Sequence, residues 1–260
     1  MIPARPSQLP IAITMGDPAG IGPEIIAKAF REDPAVTAGC FVVGDMATLR
    51  RASAVVSGPG RPLIPVAGID APQEAYATPP RCIPVLQTPQ RLGPVAVGRV
   101  SAEAGQAAAD CVVWAAQAAL RKEIGAIVTA PLHKEALAAA GISYPGHTEL
   151  LQAQAAAFLG KSVSEVPVRM MLANDELRTV LLSIHVALRD ALDAVTPENL
   201  LETLRITHES VGALLQRAPR IGVAGLNPHA GEGGLFGREE IDVIAPTIET
   251  ARRAGMDVRG

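Results

Sequence analysis

Aromatic side chains are scarce here: one Trp, two Tyr and four Phe, 3% of 260 residues. That is too few rings for a platform on which bases stack. The core must instead be built from small aliphatics within a 48% hydrophobic composition, which suits close helix-on-sheet packing. Charge of one sign is missing too. The formal net charge is −3, with acids and bases interspersed, so no basic stripe points to nucleic acid or to an anionic membrane surface.

Cysteine is sparse and odd in number. Cys40, Cys82 and Cys111 have no C-x-x-C spacing, which excludes a thiolate zinc site and implies reduced thiols in a cytoplasmic protein. Long hydrophobic runs are also absent. Ile11 to Met15 is short and is broken by Gly16-Asp17-Pro18, and the Ala-rich stretch near Cys111 contains Asp110, Trp114 and Gln117. Neither reads as a signal peptide or a membrane span. The nucleotide motifs fail as well. Counted from Gly20 and Gly22, the third glycine of G-x-G-x-x-G falls on Ile25, and no complete G-x-x-x-x-G-K-[ST] loop occurs.

What is there is an alternation of strand-like and helix-like segments, the pattern of an α/β layered fold. The strand-like runs are Ile11 to Met15, Cys40 to Val43, Ile83 to Leu86 and Ala126 to Thr129, with another near Leu63 to Val66. Helices are expected from Pro23 to Phe30, Met46 to Ala52, Ser101 to Lys122 with Ser101 as cap, Lys134 to Ala140 and Thr148 to Leu159. Beyond these, Val168 to Ala173 and Thr179 to Ile184 flank a hairpin turn. Pro197 to Gln216 is a helix capped by Thr196, Ile221 to Leu226 a strand, and Glu239 to Arg253 a last helix. A hinge is expected near Thr129 to Gly146, dividing a first α/β domain, 1–138, from a second, 139–260.

Function concentrates where apolar runs stop in polar loops, because strand ends are where open α/β sheets keep their ligands. Val223 to Gly234 is the richest such stretch: an apolar run gives way to Asn227, His229, Glu232 and four glycines. A Gly-rich surface turn is the plain alternative. The stretch Gly16 to Glu24 opens a helix and reads equally as an anion-holding loop or a tight structural turn. Val128 to Lys134 ends a strand with His133 and Lys134, a pair suited to proton transfer or merely two solvated residues before a helix. In Pro145 to Glu149, His147 and Thr148 precede a helix where a polar or anionic substrate is easily bonded, although Thr148 also suits a cap. Ser183 to Asp190 carries His185. His185 and His229 are too far apart in sequence for a local metal motif, and spacing alone does not join them. His208, inside a helix, reads as structural or solvent-facing.

Taken together, GDPAGIGPEI, TAPLHKEAL, AGISYPGHTELL, LLSIHVALRD and GLNPHAGEGGLFGREE resemble the 4-hydroxythreonine-4-phosphate dehydrogenases of the pyridoxal phosphate pathway, in that family's order, from Gly16 to Gly260. The resemblance implies two α/β layered domains with a cleft between them, related to isocitrate and isopropylmalate dehydrogenases, in a homodimer whose subunits share each active site. It implies His185 and His229 as two of three histidine ligands of a divalent metal, with zinc first and cobalt, manganese or magnesium also accepted. His147 and Thr148 would contact substrate. The implied reaction is oxidation of the C3 hydroxyl of 4-phosphooxy-L-threonine by NAD (or NADP), then decarboxylation to 3-amino-2-oxopropyl phosphate. His133 and Lys134 match a family motif, while their proton-transfer role rests on residue chemistry alone. Related branches oxidise 4-phospho-threonate, 4-phospho-erythronate or a terephthalate dihydrodiol. The intact GHTE motif favours a phosphorylated hydroxy acid. The family's third metal histidine lies in a His-Asp-Gln-Gly motif beyond the stretch matched, and no His follows His229. The expectation is therefore either a piece of a longer enzyme or a truncated, dimerising protein that binds metal or anions without turnover.

Overall fold

The computed structural model describes residues 8–88, 92–144 and 146–260. The chain forms two compact units, Met1–Val166 and Pro167–Gly260.

In the first unit, β1 (Ile11–Thr14) leads to α1 (Gly22–Glu32), β2 (Cys40–Gly44), α2 (Met46–Ser57), β3 (Val66–Ile69) and β4 (Ile83–Gln87). Then come α3 (Ala102–Leu120), β5 (Ala126–Thr129), α4 (Lys134–Ala139) and α5 (His147–Leu159). The five strands make one parallel sheet in the order β3-β4-β2-β1-β5. Every residue of β2 is buried, as a central parallel strand covered on both faces should be, and its sequence CFVVG is correspondingly free of alternation. Helix starts follow capping chemistry: Asp45 accepts from the Thr48 N–H at 2.8 Å, and Ser101 from Ala104 at 3.2 Å. The core joins Phe41, Val42, Leu49, Ile83 and Val85 to Cys111 and Ala115 of α3. Phe41 meets Trp114 edge-on at a centroid distance of 6.0 Å.

Sheet order fixes where a ligand crevice opens. β2 lies on one side of β1 and β5 on the other, so the chain reverses its winding between β1 and β5. The carboxyl ends of these two strands frame the switch point where open α/β sheets bind ligands. The Gly160-Lys161-Ser162 run follows α5 and leads only into a single 3-10 turn, Val163–Glu165, capped by Ser162. Gly160, left-handed, is the C-cap of α5, the reverse of a phosphate loop.

The second unit opens with β6 (Met171–Ala173) and β7 (Arg178–Val180), an antiparallel pair turned by Asn174, whose side-chain oxygen accepts from the Glu176 and Leu177 N–H groups. Next are α6 (Leu188–Asp193) and α7 (Pro197–Leu215), the latter capped by Thr196. β8 (Arg220–Gly222) pairs in parallel with β9 (Asp257–Arg259), and α8 (Ala245–Arg253) connects back to β9. Leu200, Leu204, Ile244, Ile248, Ala251 and Val258 form the core.

Several expectations shift. The units divide at Val166/Pro167, not at 138/139, because α4 and α5 pack on α3: Leu137 and Leu150 share a cluster with Ala109 and Val112. The expected strand Thr179 to Ile184 stops at Val180, so His185 lies in an irregular segment beyond it. β8 ends at Gly222, although Val223 still donates to the Arg259 carbonyl at 2.7 Å. The expected helix Glu239 to Arg253 is a π turn over Glu240–Ile244 followed by α8. Pro246 explains the break: it lacks the N–H that would reach Asp242, and its ring crowds that carbonyl.

Candidate active site

At the β1/β5 switch point the GDPAGIG loop is bound to the chain itself. The Asp17 N–H donates to the Pro131 carbonyl at 2.9 Å, Gly20 donates to Asp17 O at 3.0 Å, and Ala19 donates to the Asp17 carboxylate at 2.8 Å. Arg51 reaches the Pro18 carbonyl with Nη2. With three of its N–H groups spent internally, the loop serves as a tight structural turn, not an anion cradle. Gly16 makes the turn possible: its φ is +72°, and a Cβ there would lie 2.4 Å from the Pro131 oxygen.

The same strand end holds His147, the first residue of α5, behind Gly146 as N-cap. Its ring bonds the Ala130 carbonyl, and burial pushes its pKa down against the upward pull of that bond. Nε2 is buried without a hydrogen-bond partner among the described residues. Burial thus favours the neutral imidazole and leaves Nε2 for a ligand to bond. Thr148 is exposed in the same first turn and makes no capping bond, so it is not the N-cap. Pro145 lies outside the described residues.

His133 is the N-cap residue of α4 without a side-chain capping bond, and Lys134 begins that helix. Both are exposed, and no hydrogen bond among the described residues reaches either side chain. His133 follows Ala130 by three residues. His147 thus reaches the end of β5, from which the chain runs on to His133 and Lys134 at the start of α4.

His185 and His229 belong to the second unit and share a rare feature. His185 has φ 55° and His229 has φ 52°, both in the left-handed region that non-glycine residues seldom occupy. His229 begins a run of five left-handed residues, His229 to Gly233. Such conformations persist only where the surroundings impose them, and they cluster at functional sites. Both imidazoles are exposed. The His229 ring sits 6.3 Å from that of Phe236. Among the described residues no three His, Cys, Asp or Glu side chains converge as a metal site. Each imidazole could serve a divalent metal only as one member of a larger donor set.

The residues missed by sequence reasoning lie beside His229. Glu240 accepts from the Leu226 N–H at 2.8 Å, the Asn227 N–H at 2.7 Å and Asn227 Nδ2 at 2.9 Å. Glu239 accepts from the same Nδ2 at 2.6 Å. These bonds, the Asn227 side chain first, draw the Glu240 pKa down to about 2. The sequence signal was the acidic pair closing GLFGREE, downstream of four glycines. A cavity of about 640 Å³ in this unit, lined by Leu182, Val195, Leu204 and Ile221 among others, touches none of the six candidate residues.

Residues 37–260 match the family model described as pyridoxal phosphate biosynthetic protein PdxA. The chain belongs to this family. A 4-hydroxythreonine-4-phosphate dehydrogenase of Beijerinckia indica is 47% identical over 96% of this chain and 70% of its own length. A D-threonate 4-phosphate dehydrogenase of Salmonella typhimurium is 43% identical over 96% of this chain and 73% of its own. The crystal structure of 4-hydroxythreonine-4-phosphate dehydrogenase from Klebsiella pneumoniae superposes with a TM-score of 0.86 at 38% identity, covering 99% of this chain and 74% of that one. The α/β fold with its parallel sheet is thus a family property.

Proposed function

We propose that the protein oxidises a phosphorylated hydroxy acid, and that the substrate is 4-phosphooxy-L-threonine. Family membership supports the reaction class, since relatives of both names match nearly the whole chain. The observation that carries the site is the unpartnered, buried Nε2 of His147 at the β1/β5 switch point. A neutral imidazole donates from one ring nitrogen and accepts at the other, so the open Nε2 suits a polar group of the substrate. Thr148, beside it in the first helical turn, supplies a hydroxyl where the helix dipole favours negative charge.

The chemistry proposed is loss of the C3 hydrogen as hydride to NAD (or NADP) and of the hydroxyl proton to a base. This leaves a β-keto acid that releases carbon dioxide and takes up a proton to give 3-amino-2-oxopropyl phosphate. His133 and Lys134, exposed at the end of β5, are the proposed proton-transfer groups. A divalent metal held in part by His185 and His229, zinc first with magnesium or cobalt as alternatives, would supply Lewis-acid polarisation of the reacting oxygen. A homodimer with shared active sites belongs to the same reading. No helix among the described residues is long and apolar enough to cross a membrane.

A second reading, oxidation of D-threonate 4-phosphate, is favoured by the Salmonella typhimurium relative. The test is the yield of carbon dioxide per NADH with each substrate offered separately. One-to-one release from 4-phosphooxy-L-threonine, with Lys134→Met slowing turnover by about 10²-fold or more, supports the first reading. Turnover confined to the threonate, or unaffected by Lys134→Met, removes the substrate or the lysine assignment respectively.

A further inference from the structure

The left-handed run from His229 to Gly233 lies inside the helical turn Pro228–Gly234. Three of its members, His229, Ala230 and Glu232, carry a Cβ, which that conformation disfavours. Besides the bonds internal to the helical turn Pro228–Gly234, the run and its exit are held by Ala230 N–H to Asn227 O at 3.1 Å, Leu235 N–H to Glu232 O at 3.4 Å and to Gly231 O, and Phe236 N–H to Gly231 O at 3.1 Å. A restraint from outside the turn comes from one carboxylate eleven residues beyond His229. Glu240 takes the two successive backbone N–H groups that lead into the turn, Leu226 and Asn227, on Oε1, and Asn227 Nδ2 on Oε2. It also fills the concave side of the turn, because a Cβ on Gly231 would stand 2.9 Å from Oε2. Glu240 is the first residue of the π turn, a geometry that itself recurs at functional sites.

We propose that Glu240 is a positioning residue for His229: by clamping Leu226 and Asn227 it imposes the left-handed turn that presents the imidazole. Its functional consequence rests on the reading of His229 as a metal-binding group. A carboxylate that accepts three donors is among the stronger hydrogen-bonding arrangements a protein builds. Groups of this kind behind a metal ligand typically govern affinity roughly 10–100-fold. Ionised Glu240 has only acceptors to offer, which is what three donors require. A glutamine of the same shape would turn an NH₂ towards one of them.

The experiment compares the protein with Glu240→Gln and with Asn227→Ala, which removes the side-chain bonds but spares those to the backbone. Glu249→Gln, on the exposed face of α8, is the control. Three readouts are taken: hydrogen exchange of the Leu226 and Asn227 amides, the imidazole resonances of His229, and zinc affinity by competition with a chromophoric chelator. Expected in Glu240→Gln are faster exchange at both amides, displaced His229 resonances and zinc binding weaker by roughly 10–100-fold. Asn227→Ala is expected to be intermediate and the control unchanged. Unaltered exchange and resonances in Glu240→Gln overturn the proposal. So does zinc affinity kept by Glu240→Gln but lost by His229→Ala, because the histidine then works without the clamp. If His229→Ala itself leaves zinc binding intact while exchange and resonances respond to Glu240→Gln, the positioning role stands and the metal reading of His229 fails.

Discussion

The backbone N–H of Asp17 donates to the carbonyl of Pro131 at 2.9 Å, tying the loop after β1 to the loop after β5. That bond links the glycine-rich turn to the segment that leads to His133 and Lys134. Ala130, one residue earlier, receives the His147 ring. Three stretches distant in sequence are thereby joined at one strand end.

Gly16 lets the two loops approach. Gly16→Ala would force a Cβ into the Pro131 oxygen at a φ of +72°. We expect a loss of at least about 1–2 kcal/mol from the backbone conformation alone, measured as a lower urea midpoint. An unchanged midpoint would show that the loops are not in contact.

His147 links stability to pH. Its folded pKa lies below the ordinary histidine value because burial disfavours the cation. The unfolded chain therefore binds the proton first as pH falls. The stabilising contribution is complete above about pH 6.5 and declines from there down through the folded pKa. In His147→Gln the dependence of unfolding free energy on pH between about 7.5 and 5.5 should flatten. An identical slope in both proteins would remove His147 as its source.

Phe41 and the single tryptophan report on the sheet core. Phe41 is fully buried and meets Trp114 edge-on. Phe41→Ala should cost about 3–5 kcal/mol and red-shift the Trp114 emission as water reaches the ring. A stability loss without an emission shift would contradict the contact.

The three thiols are buried and free. Burial raises all three pKa values, with Cys111 pushed up to about 12, so the reactive thiolate is suppressed. Ellman's reagent should find almost no thiol in the folded protein and all three in denaturant. Fast titration of the native protein would refute the packing around α3.

Much of this was legible in sequence, for identifiable reasons. β1, β2, β4 and β5 are apolar runs bounded by polar turns, and α2, α3 and α7 carry side-chain caps, so local chemistry alone marks them. β9 was hidden because three residues after Gly255 carry no periodicity, and its pairing with β8 is long-range. The division at Val166/Pro167 was hidden too, because it depends on which helix packs on α3. The six candidate residues were found by motif. Their settings were not: the neutral state of His147 comes from burial, and the left-handed turn at His229 from a carboxylate eleven residues on. Four glycines near His229 signalled unusual backbone without saying what held it.

The most direct measurement is NADH formation at 340 nm by the purified protein, given NAD, either phosphorylated hydroxy acid and a rising concentration of zinc or magnesium. The account predicts NADH with at least one of the two acids, abolished by EDTA and restored by added metal. No NADH with either acid at any metal concentration, or turnover indifferent to EDTA, would contradict it.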